Sequence, residues 1–269
     1  MWIGEFLDGL ARELPLDLAM PDDPVGTQVM AADRELTAVA AAYEVDELMV
    51  RRADEEGAEL IVAFHPLIYP SLKRLTRRTR VERTVVELID RRIALHVVHT
   101  AFDAHPDGTS ALLARRLGLS NIRPLVPDAR RAGAGMGAVG ELPEPVGLEA
   151  LARLLRAACG AGAVRVSFPP HGEPRNAIGT VAILGGSGMS FYDQAVACGA
   201  EAFITADVRY HGFHAANDRI PVLDPGHAES EALVCEGMAS LLERTVTALG
   251  ARVRVLPLTE PTNPVRLIV

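Results

Sequence analysis

Short apolar, β-rich runs alternate with longer helical patterns along this chain, and few folds accept that order. Residues 36–42 read as a strand, 47–56 as a helix and 58–64 as a strand; a helix over 80–91, a strand over 94–99 and a helix over 110–117 follow. Such alternation predicts βαβ units. Ser110 is placed to cap the last of these helices, and Gly118 to stop it. Residues 119–147 carry Pro124, Pro127, Pro143 and Pro145 with Gly133, Gly135, Gly137 and Gly140, the composition of a loop-rich crossover with one strand near 136–139. The pattern then restarts, with a helix over 148–159, strands over 163–168 and 180–184, a helix over 191–198 and a strand over 202–206.

An internal match marks the restart. GAELIVAFH at 57–65 resembles GAEAFITAD at 199–207, and in each case an apolar strand and a polar turn into a helix follow. The expected fold is α/β, built of two similar interlocked halves with mixed sheets, although so short a match also occurs as the shared grammar of unrelated α/β segments. The halves would be residues 1–125, with His65 and Asp103, and 126–269, with the GGSG loop, His227 and Glu231. They would pack as one compact unit. Polar residues just beyond strand C-terminal ends would then lie where open α/β sheets bind ligands.

Hydrophobic residues make up 49% of the 269-residue chain and charged residues 23%, which is the composition of a chain that folds throughout. A net charge of -8 argues against a nucleic-acid surface, which needs clustered cations. The one basic run, Lys73, Arg74, Arg77, Arg78 and Arg80, reads first as a solvated segment and second as a contact for an anionic ligand. Cys159, Cys198 and Cys235 are widely spaced, so neither a disulfide framework nor a thiolate zinc site is expected. The amphipathic start MWIGEFLDGLAREL is unlike a signal peptide, and no stretch approaches the ~20 apolar residues of a membrane span. A cytoplasmic protein without membrane partners is the expectation.

Three clusters carry ligand-type side chains. His65 ends a strand, and Pro66 blocks further ladder pairing, so the imidazole lies at the strand end. In HTAFDAHPDG, His99 and Asp103 follow a strand, with His105 and Asp107 slightly later. DPGHAESE opens a helix expected over 228–249, and His227 and Glu231, four residues apart, share one face of it. Each cluster has a plain structural account as a turn, a cap or a helix start. Their recurrence at strand ends, with almost no cysteine, points to a centre of mixed imidazole and carboxylate ligands, suited to Zn, Fe, Mn or Co. Two further segments are weaker. TVAILGGSGMSF places Gly185, Gly186, Ser187 and Gly188 between strand and helix, where amides can meet an anion. ITADVRYHGFH carries Asp207, His211 and His214, of which Asp207, at a strand end, belongs with the site.

In order, DPVGTQV at 23–29, AELIVAFHPLIY, HTAFDAHP, GGSG, AFITADVRYH, DPGHAESE and the late TNPV resemble the Nif-three-like family of dinuclear-metal-centre proteins, often described as type 2 GTP cyclohydrolases. The resemblance implies a Nif-three-like fold without an inserted middle domain. It also implies a homohexamer built as a trimer of dimers, with one or two divalent metals per chain. His65 and Asp103 would hold the first metal, and Glu231 would bridge to a second that His227 also holds, with His99 close by. Two departures stand out. The family's adjacent histidines read here as Phe64-His65, and phenylalanine cannot coordinate, so the second metal binds weakly, recruits His99 or water, or is absent. The strand end AAYEV also lacks the family's usual polar residue.

The function expected is a metal-dependent hydrolase of a purine nucleotide or related phosphorylated small molecule, with GTP ring opening as the resemblance-based choice. Glu231 or His99 would move the proton, and the GGSG amides or Arg77 and Arg78 would hold phosphate. The alternative is a non-catalytic metal-binding ring whose centre is degenerate.

Overall fold

The computed structural model describes residues 1–168, 177–216 and 219–268. Along the chain the elements run α1 (Ile3–Glu13), β1 (Gly26–Val29), β2 (Ala38–Ala42), α2 (Glu47–Glu55), β3 (Leu60–Ala63), α3 (Arg80–Arg91), β4 (Ala94–Val97), α4 (His99–Asp103) and α5 (Thr109–Arg116). They continue through β5 (Ser120–Arg123), β6 (Val126–Pro127), β7 (Gly135–Met136), β8 (Ala138–Val146), α6 (Leu148–Cys159), β9 (Arg165–Val166), β10 (Ile178–Ser187), α7 (Tyr192–Ala197), β11 (Ala202–Ala206) and α8 (Tyr210–Ala216). The last are β12 (Val222–Asp224), α9 (His227–Ser230), α10 (Val234–Ala248) and β13 (Arg254–Leu258).

The first unit comprises Met1–Phe102 and Val234–Pro264. Its sheet has the order β1-β4-β3-β2-β13, parallel except for β1. Parallel strands covered on both faces need near-continuous apolar runs, and AVAAA, LIVA and ALHV in β2, β3 and β4 meet that need, every residue being buried. Met49, Val50 and Ala53 of α2 and Val85 and Leu88 of α3 share a core with Ile61, Leu95 and Val97. Asp46 caps α2 by accepting from the Met49 amide at 2.9 Å, and Thr79 caps α3 by accepting from that of Glu82 at 3.2 Å.

The second unit comprises Asp103–Leu233 and Val265–Val269. Its six-stranded sheet runs β5-β8-β10-β11-β12-β9, with β10, β11 and β12 parallel and the others antiparallel. The division therefore falls at Phe102/Asp103 and again at Leu233/Val234, whereas the sequence suggests 125/126. Strand pairing is the reason. β5 bonds to β8, which draws residues after 102 into the second sheet, and β13 bonds to β2, which returns the end of the chain to the first.

Segment 119–147 departs furthest from expectation. It holds β5 and the nine-residue β8 instead of a loop with one short strand. Gly140 serves close strand approach there: a Cβ would stand 2.9 Å from Leu119 Cβ and 3.0 Å from the Ser120 carbonyl oxygen. The α5 cap is Gly108 and not Ser110, whose hydroxyl accepts from the Gly185 amide at 3.1 Å.

The internal match is a repeated structural device. Gly57 and Gly199 both take positive φ, at 74° and 82°, after α2 and α7. Two residues on, the Glu59 carboxylate accepts from the Thr37 and Ala38 amides, each at 2.9 Å, at the entry to β2. Glu201 accepts from the Gly179 and Thr180 amides, at 2.6 and 3.0 Å, at the start of β10. In both sheets a carboxylate thus satisfies the first amides of the neighbouring parallel strand. Among the described residues no helix is long and apolar enough to cross a membrane.

Candidate metal centre

In the first unit the site residues lie where β2, β3 and β4 end. β3 stops at Ala63, and His65, with its side chain 15% exposed, places Nδ1 3.1 Å from Glu44 Oε1. His99 opens α4 with φ at 21°, and its Nδ1 lies 2.8 Å from Asp23 Oδ1. Asp23 also accepts from the Thr100 amide at 3.1 Å and from the Thr100 hydroxyl. Burial pushes the Asp23 carboxyl up, but the bonds from His99 and Thr100 outweigh it and hold the group below its usual value. Asp103, with which the second unit begins, closes the α4 turn, four residues after His99.

Phe64 is fully buried. Its ring stacks on Tyr43 with centroids 6.0 Å apart and meets His99 at 5.4 Å and Phe102 at 6.3 Å. The position is aromatic packing, and Tyr43, at the end of β2, belongs to the same cluster. The departures seen in AFHP and AAYEV are therefore one packing unit.

In the second unit Asp207 ends β11 with φ at 54°, and its Oδ2 lies 2.7 Å from His227 Nδ1. His227 Nε2 lies 3.2 Å from Glu231 Oε2. The bond to Glu231, opposed by burial and reinforced by the charges of Glu231 and Asp207, pushes the His227 imidazole up to about 9 in the metal-free protein. The expected helix over 228–249 is broken here. α9 is one turn ending at Ser230, and α10 begins only at Val234. The Ser230 hydroxyl donates to the His227 carbonyl within this turn at 2.8 Å. His227 and Glu231 still meet, through the turn.

The glycine loop makes room for Glu231. Gly186 has φ at 66°, and a Cβ there would stand 2.4 Å from Glu231 Oε1. The Gly185 and Gly186 amides donate to Ser110 and Ser230 at 3.1 and 2.9 Å, so those two are spent within the protein and do not present themselves to phosphate. The phosphate role expected of the loop is corrected for this pair. Arg77 is likewise engaged, donating to Asp90 at 2.7 Å, and the Arg78 amide donates to Glu82 at 3.1 Å. His105 Nδ1 accepts from the Asp107 amide in a local turn, while His211 and His214 pack against Tyr210 on α8.

Sequence reasoning assigned no role to Asp23, Glu44 or Asp224. Asp224 is 2% exposed and accepts from the Val208 amide at 3.0 Å and the Gly226 amide at 2.9 Å, while the Arg165 guanidinium donates to it. The only signals were its place in DPGH and that of Asp23 in DPVG.

Residues 1–264 match the Duf34/NIF3 (NGG1p interacting factor 3) family. The chain belongs to this family. A Streptomyces coelicolor protein named GTP cyclohydrolase 1 type 2 homolog is 36% identical over 94% of this chain and 90% of its own length. A Lactococcus lactis protein of the same name is 31% identical over 98% of both chains. Among solved structures, a Bacillus cereus protein related to NIF3 superposes with a TM-score of 0.91 at 22% identity, covering 100% of this chain and 99% of that one. A Staphylococcus aureus hypothetical protein gives 0.91 at 26% identity with the same coverage. The fold is thus that of NIF3-related proteins, as the ordered motifs imply. This NIF3-family chain has His and Glu donors of the kind that can bind a metal ion.

Proposed function

We propose that this NIF3-family chain is a metal-dependent hydrolase of a purine nucleotide or related phosphorylated small molecule, working in the cytoplasm as a homohexameric trimer of dimers. The observation that carries the reading is His227 held between two carboxylates, with Gly186 leaving space for one of them. A loop that keeps a positive-φ glycine against a buried carboxylate oxygen, beside an imidazole, suits a divalent ion, and mixed N and O donors fit Zn, Fe, Mn or Co. The ligands proposed are His65, Asp103, His227 and Glu231, for one or two ions per chain.

A bound divalent ion supplies Lewis acidity and activates water near neutral pH. The protein's own groups handle protons. Glu231, its carboxylate adjoining His227 Nε2, is placed to take a proton, and His99 is committed to Asp23 through Nδ1, which steadies its ring for transfer at Nε2. The names of the Streptomyces and Lactococcus relatives support GTP as the first substrate to try.

A second reading, a non-catalytic metal-binding ring, is favoured by Phe64, which fills a ligand position with buried aromatic packing. Elemental mass spectrometry on tag-free protein, with nucleotide turnover assayed beside it, separates the two. At least one ion per chain, with GTP turnover lost in His227→Ala, is expected. Metal without turnover of any nucleotide favours the ring, and a rise in stoichiometry in Phe64→His identifies the second site as the lost one.

A further inference from the structure

We propose that Asp207 is a positioning residue for His227: its carboxylate accepts the Nδ1–H, fixes the tautomer and turns Nε2 toward the metal. The inference rests on the metal-centre reading above. Three observations carry it.

The first is the direction of the imidazole. Its two nitrogens face different carboxylates, Nδ1 at 2.7 Å from Asp207 and Nε2 at 3.2 Å from Glu231. Only Nε2 is on the side of Glu231, itself a proposed ligand. Asp207 thus stands behind the ring, where a carboxylate orients a metal-bound histidine and raises its basicity.

The second is that the pair is clamped from beneath. Asp207 leaves β11 in the left-handed region, which Asp tolerates better than most residues, and the next amide, of Val208, donates to Asp224. The Gly226 amide, immediately before His227, donates to the other Asp224 oxygen. One buried carboxylate therefore holds both loops, the one that bears Asp207 and the one that bears His227. Their spacing is set by this buried carboxylate bonding to backbone amides of both loops.

The third comes from the repeat. Asp207 stands in GAEAFITAD where His65 stands in GAELIVAFH. His65 has Glu44 at 3.1 Å from Nδ1, so each half sets one member of an imidazole–carboxylate pair at this strand end. The first half uses the position for the imidazole, the second for the carboxylate.

The test uses the full chain with zinc alone as probe. Zinc affinity is measured by competition with a chromogenic chelator in wild type, Asp207→Ala, Asp207→Asn and His227→Ala, with nitrogen-15 NMR of the zinc-loaded imidazoles. Loss of an outer-shell carboxylate should weaken zinc about 10- to 100-fold in Asp207→Ala and abolish the Nδ1–H signature of His227. Asp207→Asn should fall between, because its amide oxygen still accepts the proton, and it carries the test should the alanine variant melt early. Zinc affinity in Asp207→Ala equal to wild type, with His227→Ala strongly weakened, overturns the proposal and leaves the metal centre standing. Equal affinity in His227→Ala overturns both.

Discussion

The two sheets share a core: three parallel strands flanked on one side by an antiparallel strand, β2-β3-β4-β1 in the first unit and β10-β11-β12-β9 in the second. Both use a glycine at positive φ and a glutamate cap at the same place in the repeat. They differ at the strand ends. β2 runs into Tyr43 and Glu44, and β3 into Phe64, bulky groups packed on one another, while β10 carries Gly185 and Gly186 and leaves a gap filled by Glu231. A common frame thus yields an aromatic-packed strand end in one half and one that seats a buried carboxylate in the other.

The sharpest way to break the comparison is Gly186→Ala. Left-handed strain of ~1–2 kcal/mol, plus ~1–3 kcal/mol of overpacking against Glu231, should add to a large loss of stability and of metal binding. Gly199→Ala is the control, since it also has positive φ but nothing within 4 Å of the added Cβ. It should cost only the strain. Equal melting shifts in the two variants would remove Gly186 from the site.

His96 offers the next contrast. It lies in β4 opposite Val62 of β3, as Leu223 in β12 lies opposite Ile204 of β11, so the first unit buries an imidazole where the second has leucine. Burial lowers the His96 imidazole to about 4 from 6.5. A group whose folded-state value is depressed favours the folded state above 6.5 and penalises it as pH falls through 4. At about 1.4 kcal/mol per pH unit this amounts to roughly 3 kcal/mol as an upper bound. Denaturant titrations between pH 7 and 4 should show the slope in wild type and a flatter one in His96→Leu. An unchanged slope would shift acid sensitivity to other groups.

The smallest expected effect is at the shared device. Glu59→Ala and Glu201→Ala should each destabilise by about 1–3 kcal/mol, because each leaves strand-entry amides without their acceptor. Similar losses would sharpen the claim of equivalence, and a large loss in only one would break it.

Much of the frame was legible in the chain. α3, α6 and β11 fall at the boundaries that periodicity predicts, because each has a clean apolar stripe or run between strong stops. β8 was hidden because Gly140 within it and Gly137 just before it, normally loop markers, answer to Leu119, Ser120 and Ile183, which strand pairing brings against them. The helix break between Ser230 and Val234 falls inside a stretch whose periodicity shows no stop. Asp23, although it stands in a quoted motif, takes its meaning from His99 and Thr100, some 76 residues away.

By itself the sequence determined the α/β class, the repeat, the family pattern and the presence of His65, Asp103, His227 and Glu231, since these depend on local periodicity and on which side chains end each strand. The tertiary structure alone decided where the units divide, that the Gly185 and Gly186 amides serve serines, that Phe64 packs on Tyr43, and that Asp207 stands behind His227. Those outcomes depend on hydrogen bonds and packing between segments far apart in the chain, and such partners are chosen only once the strands have paired.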